Sequence, residues 1–304
     1  MRICSLLPSA TEIVFALGLG DDIVGVTHEC DYPAEARQKP VVVKSIIDQD
    51  KSASGEIDNV ISEHLRAGKG IYAIDLPRLR EVSPDLILTQ ELCGVCAVDY
   101  GEVVEASRSL PQKPKIISLN PSVLSDVLGD IELVGKATGK EPEAEALVEA
   151  VEKRIRRVRE QARLSDLKPR VACLEWLEPL YSAGHWVPEM VDLAGGADEL
   201  AKKGELSAKI DWEKIARVAP EVIVLMPCGF DVRRTLKEAH LLERRPGWRD
   251  LPAFKEKRLF AVNGAAYFNR SGPRLVDGLE ILAQIIHPEI FPWRTPPEGA
   301  QRLG

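Results

Sequence analysis

The feature that most constrains this chain is a motif that occurs twice. Leu79-Arg80-Glu81-Val82-Ser83-Pro84-Asp85-Leu86-Ile87-Leu88 matches Ile215-Ala216-Arg217-Val218-Ala219-Pro220-Glu221-Val222-Ile223-Val224 in residue type at nearly every position. In each copy a helix must end before the proline, which has no N–H to donate and bars the residue before it from the right-handed helical conformation. The aliphatic run that follows has the length and composition of a buried parallel strand. Other pieces recur around this motif. Arg2-Ile3-Cys4-Ser5-Leu6 is answered by Arg170-Val171-Ala172-Cys173-Leu174, and the helical patterns that follow stop at Gly18 and Gly20 in one half, Gly195 and Gly196 in the other. Glycine just past a helix is the usual left-handed cap. A last strand is repeated over residues 114–120 and 257–263. Strands alternating with helices predict an α/β fold of two Rossmann-like lobes. Each lobe has a mainly parallel sheet covered on both faces and loops facing a ligand at the carboxyl ends of its strands.

Between the halves, residues 141–162 hold no glycine and no proline beyond Pro142, which suits a first helical turn. Leu147, Val151, Ile155, Val158 and Ala162 make one apolar stripe. At about 1.5 Å per residue such a helix spans roughly 30 Å, enough to brace two domains. The predicted organisation is a lobe over 1–140, a connecting helix over 141–163 and a second lobe over 164–304. Basic residues 153–159 interleave with Glu149, Glu152 and Glu160 and read as a solvated face. The first half carries an extra stretch over residues 31–72, with a turn at 51–56 and a helix over 57–66. It is either a decoration or a functional insertion.

A net charge of −7 and the lack of a dense basic stripe exclude a nucleic-acid partner. No apolar run approaches the roughly 20 residues needed to cross a bilayer, which predicts no membrane insertion. The chain opens on its first strand with no leader before it, so the expected location is cytoplasmic. A periplasmic or extracellular location is the alternative if a leader has been removed. Six cysteines in 304 residues do not resemble a disulfide scaffold and are expected to be reduced.

Several stretches together resemble the periplasmic cobalamin-binding proteins of ABC importers. They are Ser5-Leu6-Leu7-Pro8-Ser9-Ala10-Thr11-Glu12, Val24-Gly25-Val26-Thr27, Asp31-Tyr32-Pro33, the Ser-Pro-Asp strand, Tyr181-Ser182-Ala183-Gly184 and Phe268-Asn269-Arg270-Ser271-Gly272-Pro273-Arg274. The likeness covers nearly the whole chain. It implies two lobes joined by a rigid helix with a corrinoid between them, and an ABC permease as partner. Acidic residues on each lobe would dock onto that permease, with Glu102, Glu105, Glu238 and Glu243 as candidates. Two stretches depart from the pattern, His28-Glu29-Cys30 and Gln90-Glu91-Leu92-Cys93-Gly94-Val95-Cys96. A cytoplasmic carrier or sensor for a metal ion or haem therefore stands as the alternative.

In this architecture the ligand contacts fall in the strand-end loops. The first lobe offers Pro8, Ser9, Glu29, Cys30 and Tyr72, and the second Trp176, Tyr181, Trp186, Phe230, Tyr267, Phe268 and Asn269. Flat macrocycles gain affinity on aromatic faces while a few polar groups fix their orientation, which makes Trp176, Trp186, Tyr267 and Phe268 the expected platforms. Trp212, Trp248 and Trp293 read as packing residues. Cys30, Cys93 and Cys96, with His28 or Cys228, suit a soft metal ion. Cys93 and Cys96 also fit a redox dithiol or inert thiols, and Cys4 and Cys173 read as buried and unreactive. His28, Glu29, Asp31, His185 and Cys93 could serve an enzyme. However, the chain has no nucleophile elbow, zinc-protease motif or phosphate-binding loop, and no cofactor for catalysis is implied. Binding ranks above catalysis.

Overall fold

The structure is a computed structural model that describes residues 1–47, 52–67, 69–91 and 97–303. It divides into two compact units, one of Met1–Pro121 with Ser125–Val148 and the other of Ser122–Leu124 with Glu149–Gly304.

In the first unit the strands are β1 (Ile3–Ser5), β2 (Ile23–Thr27), β3 (Val41–Ser45), β4 (Tyr72–Ile74), β5 (Leu86–Thr89) and β6 (Lys115–Ser118). The helices are α1 (Pro8–Ala16), α2 (Ser54–Arg66), α3 (Leu76–Val82), α4 (Tyr100–Arg108) and α5 (Leu124–Thr138), and α6 (Glu141–Ala162) begins here. The sheet order is β4-β3-β2-β1-β5-β6, parallel except for β4 against β3. Alternation along the strands feeds two cores. Ile3, Leu86 and Leu88 pack with α1 and α5 on one face, while Cys4 and Ile87 pack with Leu79 and Val103 on the other. Burial on both faces is why these strands are continuously apolar. The extra stretch supplies β3, α2 and β4. Helix α2 starts before the sequence pattern predicts because the Glu56 carboxylate accepts the N–H of Ala53 at 3.0 Å, closing the first turn.

The second unit contains β7 (Arg170–Leu177), β8 (Leu180–Ser182), β9 (Ala197–Asp198), β10 (Ala208–Lys209), β11 (Val222–Leu225), β12 (Leu259–Val262) and β13 (Ala300–Arg302). Its helices are α7 (Val187–Leu193), α8 (Trp212–Val218), α9 (Val232–Glu238), α10 (His240–Glu243), α11 (Pro252–Lys255), α12 (Gly264–Tyr267) and α13 (Leu275–Ile286). The strands run β10-β8-β7-β11-β12-β13, with β9 beside the start of β7. The middle strands β7, β11 and β12 are parallel, and β8, β10 and β13 are antiparallel additions. These short edge strands have two or three residues each, too few to show a period in the sequence.

The duplication extends to individual hydrogen bonds. The Arg2 guanidinium donates to Val82 O at 3.0 Å and Ser83 O at 3.1 Å; that of Arg170 donates to Val218 O at 3.0 Å and Ala219 O at 3.2 Å. The Arg2 N–H donates to the Asp85 carboxylate at 2.8 Å and the Arg170 N–H to that of Glu221 at 3.0 Å. Each arginine thus caps the open carbonyls of the helix that ends before the motif proline. Both helices end in a left-handed residue that is not glycine, Ser83 at φ 39° and Ala219 at φ 47°. Past α1 and α7 the left-handed positions are glycines, Gly18 at φ 75° and Gly195 at φ 82°.

The unit boundary falls within α6. Ala144, Leu147 and Val148 join the first unit's core. Further along, Arg154 donates two bonds to Glu280, at 3.1 and 2.7 Å, and one to Asp277 at 2.5 Å, fastening this part of α6 to α13. The basic run is therefore not simply a solvated face: Arg154 is half-buried in a forked ion pair, and Arg157 adds a contact to Glu280 at 2.8 Å. Among the described residues no helix is long and apolar enough to cross a membrane.

Candidate functional site

Residues of the first unit's candidate set gather at the carboxyl ends of its parallel strands. Pro8 and Ser9 form the first turn of α1, directly after β1. His28, Glu29 and Cys30 follow β2. Tyr72 reaches the same edge because β4 is antiparallel, so its first residue lies opposite the last residue of β3, Ser45. The Tyr72 hydroxyl donates to the Glu29 carboxylate at 3.3 Å, and the His28 ring lies 6.2 Å from the Tyr72 ring. These three side chains form one polar and aromatic group. Asn120, after β6, accepts the N–H of Glu91 at 2.7 Å and fixes the start of the loop beyond β5.

Cys30 serves a different role from its neighbours. It is buried, with its Sγ 3.1 Å from the Thr11 hydroxyl and 3.4 Å from that of Thr27, while Thr11 also donates to the Ser5 hydroxyl at 2.8 Å. This cluster ties α1 to β1 and β2. It leaves Cys30 inside the unit, whereas His28 is exposed two residues earlier. Among the described residues no group of three or more His, Cys, Asp or Glu side chains is arranged to hold a metal ion. Cys93 and Cys96 lie outside the described residues. Cys4 and Cys173 are enclosed in β1 and β7, and burial pushes both thiols well above their ordinary range.

The second unit's candidates cluster beyond β7, β11 and β12, which are neighbours in the sheet. Trp176, near the end of β7, lies against Phe230 from the loop after β11, ring centroids 5.2 Å apart, with its indole N–H donating to Glu178 O at 3.1 Å. The guanidinium of Arg234 sits 4.6 Å over the other ring of this pair, Phe230, and forms an ion pair with Glu238 at 2.7 Å. Tyr267, at the end of α12, carries the Arg274 guanidinium 5.6 Å from its ring. Tyr181 pairs with Trp176 across the β7–β8 hairpin. The Trp176–Phe230–Arg234 and Tyr267–Arg274 groups both set an aromatic ring beside a guanidinium group in the loops that follow these strands.

Not every expected platform presents a face. Phe268 is 1% exposed and Phe230 2%, so both support the edge from beneath. Trp186 is 7% exposed and its indole N–H donates to Phe268 O at 2.8 Å, bolting the start of α7 to the loop after β12. Asn269 donates weakly to Met226 O at 3.5 Å, while its buried Oδ1 has no partner. Beside Trp186, His185 is held at φ 54° with its ring 5.4 Å from the indole, and burial lowers its pKa, keeping it neutral. Trp212 and Trp248 pack in the core, but Trp293 is largely exposed and stacks on Phe260. Of the four acidic docking candidates, Glu238 is removed by its burial and its pairing with Arg234.

The sequence reading passed over Arg234 and Arg274. For Arg234 a signal was present: Asp231 caps α9 by accepting the Arg234 N–H at 2.6 Å, and a helix starting there places Arg234 one turn above Phe230.

Among the described residues the arrangement sets aromatic rings beside charged groups, which suits binding. The chain is 28% identical to an uncharacterised ABC transporter substrate-binding lipoprotein of Bacillus subtilis (strain 168), over 95% of this chain and 81% of that one. It is 24% identical to a vitamin B12-binding protein of Vibrio cholerae, over 92% and 86%. A periplasmic heme-binding protein of Pseudomonas aeruginosa has the same fold, with a TM-score of 0.73, 22% identity, and 100% of this chain and 99% of that one covered. The periplasmic binding protein model matches residues 3–266, and the chain belongs to that family.

Proposed function

We propose that the protein is the substrate-binding component of an ABC transporter and that its ligand is a corrinoid or a closely related metal-bearing tetrapyrrole. The observation that carries this reading is the half-buried Trp176 indole, backed by Phe230 and Arg234, together with the Tyr267–Arg274 pair in the loops that follow the second unit's strands. Aromatic faces give a flat macrocycle its buried area, and guanidinium groups stacked on them are preorganised to meet polar groups on its periphery. In the first unit, Tyr72 held by Glu29 places a polar group at the carboxyl edge of that unit's own sheet. The Vibrio relative, named for vitamin B12, supports the corrinoid. The two arginines favour a second reading, a tetrapyrrole with peripheral carboxylates such as haem, which the name of the Pseudomonas protein also supports. Of the two locations weighed from the sequence, the relatives' names favour the extracytoplasmic one, with an ABC permease as partner.

Titrating the purified protein with cobalamin, cobinamide and haem while following the visible spectrum tests this reading. One of the three is expected to bind saturably, and Trp176→Ala should weaken that binding at least tenfold. Absence of binding to all three by folded protein overturns the tetrapyrrole assignment.

A further inference from the structure

The hairpin that carries Trp176 continues into a third strand, and the pairing register fixes what that strand adds. Trp176 lies opposite Tyr181 across β7 and β8, and Tyr181 lies opposite Lys209 across β8 and β10. Residues directly paired in antiparallel strands project from the same face of a sheet, so Trp176, Tyr181 and Lys209 form one row across three strands. The next pair along the hairpin, Leu177 and Leu180, belongs to the hydrophobic core. Successive side chains alternate between faces, so the row projects from the face opposite that core. At about 4.8 Å from strand to strand, the backbone of Lys209 stands roughly 10 Å from that of Trp176.

We propose that Lys209 is a further ligand-binding residue, and that it selects for a ligand with an anionic substituent at its periphery, a carboxylate or a phosphodiester. The proposal rests on the tetrapyrrole reading above and names the substituent that reading leaves open. Lys209 is exposed and makes no ion pair among the described residues. The other lysines of this stretch are engaged: Lys202 with Glu205 at 3.7 Å, Lys203 with Glu189 at 2.6 Å, and Lys214 with Leu200 O at 3.0 Å. On the β11 side of Trp176, the charge of Arg234 is compensated by Glu238 at 2.7 Å, so the uncompensated cation lies at the β10 end of the row. A macrocycle resting on Trp176 extends past that one indole along the row toward Tyr181 and Lys209. An ammonium on a flexible four-carbon stem can follow a mobile substituent at the macrocycle's edge, and a few such polar groups are what orient a ligand held mainly by apolar surface.

The test compares the native protein with Lys209→Gln and Lys209→Arg, using two pairs of probes that differ in charge. Cobalamin, with a phosphodiester, is set against cobinamide, which lacks it, and haem, with two carboxylates, against its dimethyl ester. Lys209→Gln is expected to weaken binding of the charged member of the pair that binds at least threefold and to leave the uncharged member unchanged. The difference should shrink as salt is added, and Lys209→Arg should restore most of it. The pair that responds distinguishes a phosphodiester from a carboxylate. Because Lys209 is exposed at a sheet edge, both variants should match the native protein in urea unfolding. Equal weakening of the charged and uncharged members, or no weakening of either, overturns this proposal and leaves the tetrapyrrole reading standing. Absence of binding of all four probes to the folded native protein overturns that reading and this proposal with it.

Discussion

The two units share their scaffold at one end of the sheet and differ at the other. At the amino ends of the central strands, Arg2 and Arg170 make the same set of bonds to a helix terminus and to the acidic residue after the motif proline. At the carboxyl ends the first unit has hydroxyls and carboxylates around Thr11, Thr27, Glu29 and Tyr72, while the second has tryptophan, phenylalanine and arginine. The duplicated end closes the fold, and nothing there depends on a ligand. The divergent end can vary because loops beyond parallel strands are not needed to pair the sheet.

If the second unit's aromatic edge is also its core, truncating it should damage folding more than an equivalent change in the first unit. Trp186→Ala removes a buried indole and its bond to Phe268 O, and should destabilise the protein by about 3–5 kcal/mol in urea unfolding. Thr11→Val, which deletes a hydroxyl from the Cys30 cluster, should cost about 1–2 kcal/mol. Similar costs for the two variants would erase the distinction.

Buried carboxylates give a second contrast, with pH as the variable. Burial, and then the nearby Asp126, push the Asp130 carboxyl up to about 7, and its Oδ2 has no partner. Burial also raises Asp198, but the N–H groups of Leu200 and Ala201 hold it to about 6. A carboxyl whose folded pKa is raised binds its proton more tightly in the folded state, so stability falls as pH rises from the unfolded value to the folded one. For Asp130 that window runs from about 4 to about 7. Asp130→Asn should therefore stabilise the protein by about 2–4 kcal/mol at pH 8 and by little at pH 4. Asp198→Asn should give about two-thirds of that gain, nearly complete by about pH 7. Unfolding at both pH values checks the slope; a gain independent of pH would break the account for either residue.

How much could be read from the sequence follows the same division. The repeated Pro84 and Pro220 motifs, the arginines just before β1 and at the start of β7, and the stripe along α6 are local patterns, and each stands where its spacing placed it. The antiparallel edges β8, β10 and β13 were not legible, since two- or three-residue strands depend on tertiary pairing rather than on periodicity. At the candidate site, sequence places Trp186 and Phe268 beyond strand ends, as observed, but Trp176, expected there too, lies within β7, because the hairpin to β8 extends that strand. It could not separate the half-buried Trp176 from the buried Trp186 and Phe268, because accessibility is decided by what packs over a loop. Cys30 shows a related limit: residue type alone groups it with Cys93, Cys96 and His28 as a soft-metal ligand, whereas the hydroxyls of Thr11 and Thr27 that lie against its sulfur come from tertiary packing.

The shared end of the scaffold offers subtler tests. Arg170→Met keeps most of the aliphatic stem but leaves Val218 O and Ala219 O without their donor, and should cost about 1–2 kcal/mol. Arg2→Met, at a more exposed copy of the same clamp, should cost about 1 kcal/mol. A reversed order in urea unfolding would show that the two clamps are not energetic equivalents.

The smallest effect is expected at the residues these arginines cap. Ser83 and Ala219 precede prolines that forbid another right-handed turn, and both end their helices in the left-handed region, at φ 39° and φ 47°. A side chain pays about 1 kcal/mol or more to sit there, while glycine pays nothing in the fold but has more freedom to lose from the unfolded chain. The balance predicts that Ser83→Gly and Ala219→Gly each stabilise the protein by about 0.5 kcal/mol. Ala219→Gly should gain slightly more, since serine can offset part of the strain through local hydrogen bonding and alanine cannot. Thermal unfolding of the two variants beside the parent protein resolves a difference of this size. Destabilisation by Ala219→Gly would mean that the alanine methyl contributes packing worth more than the strain it causes.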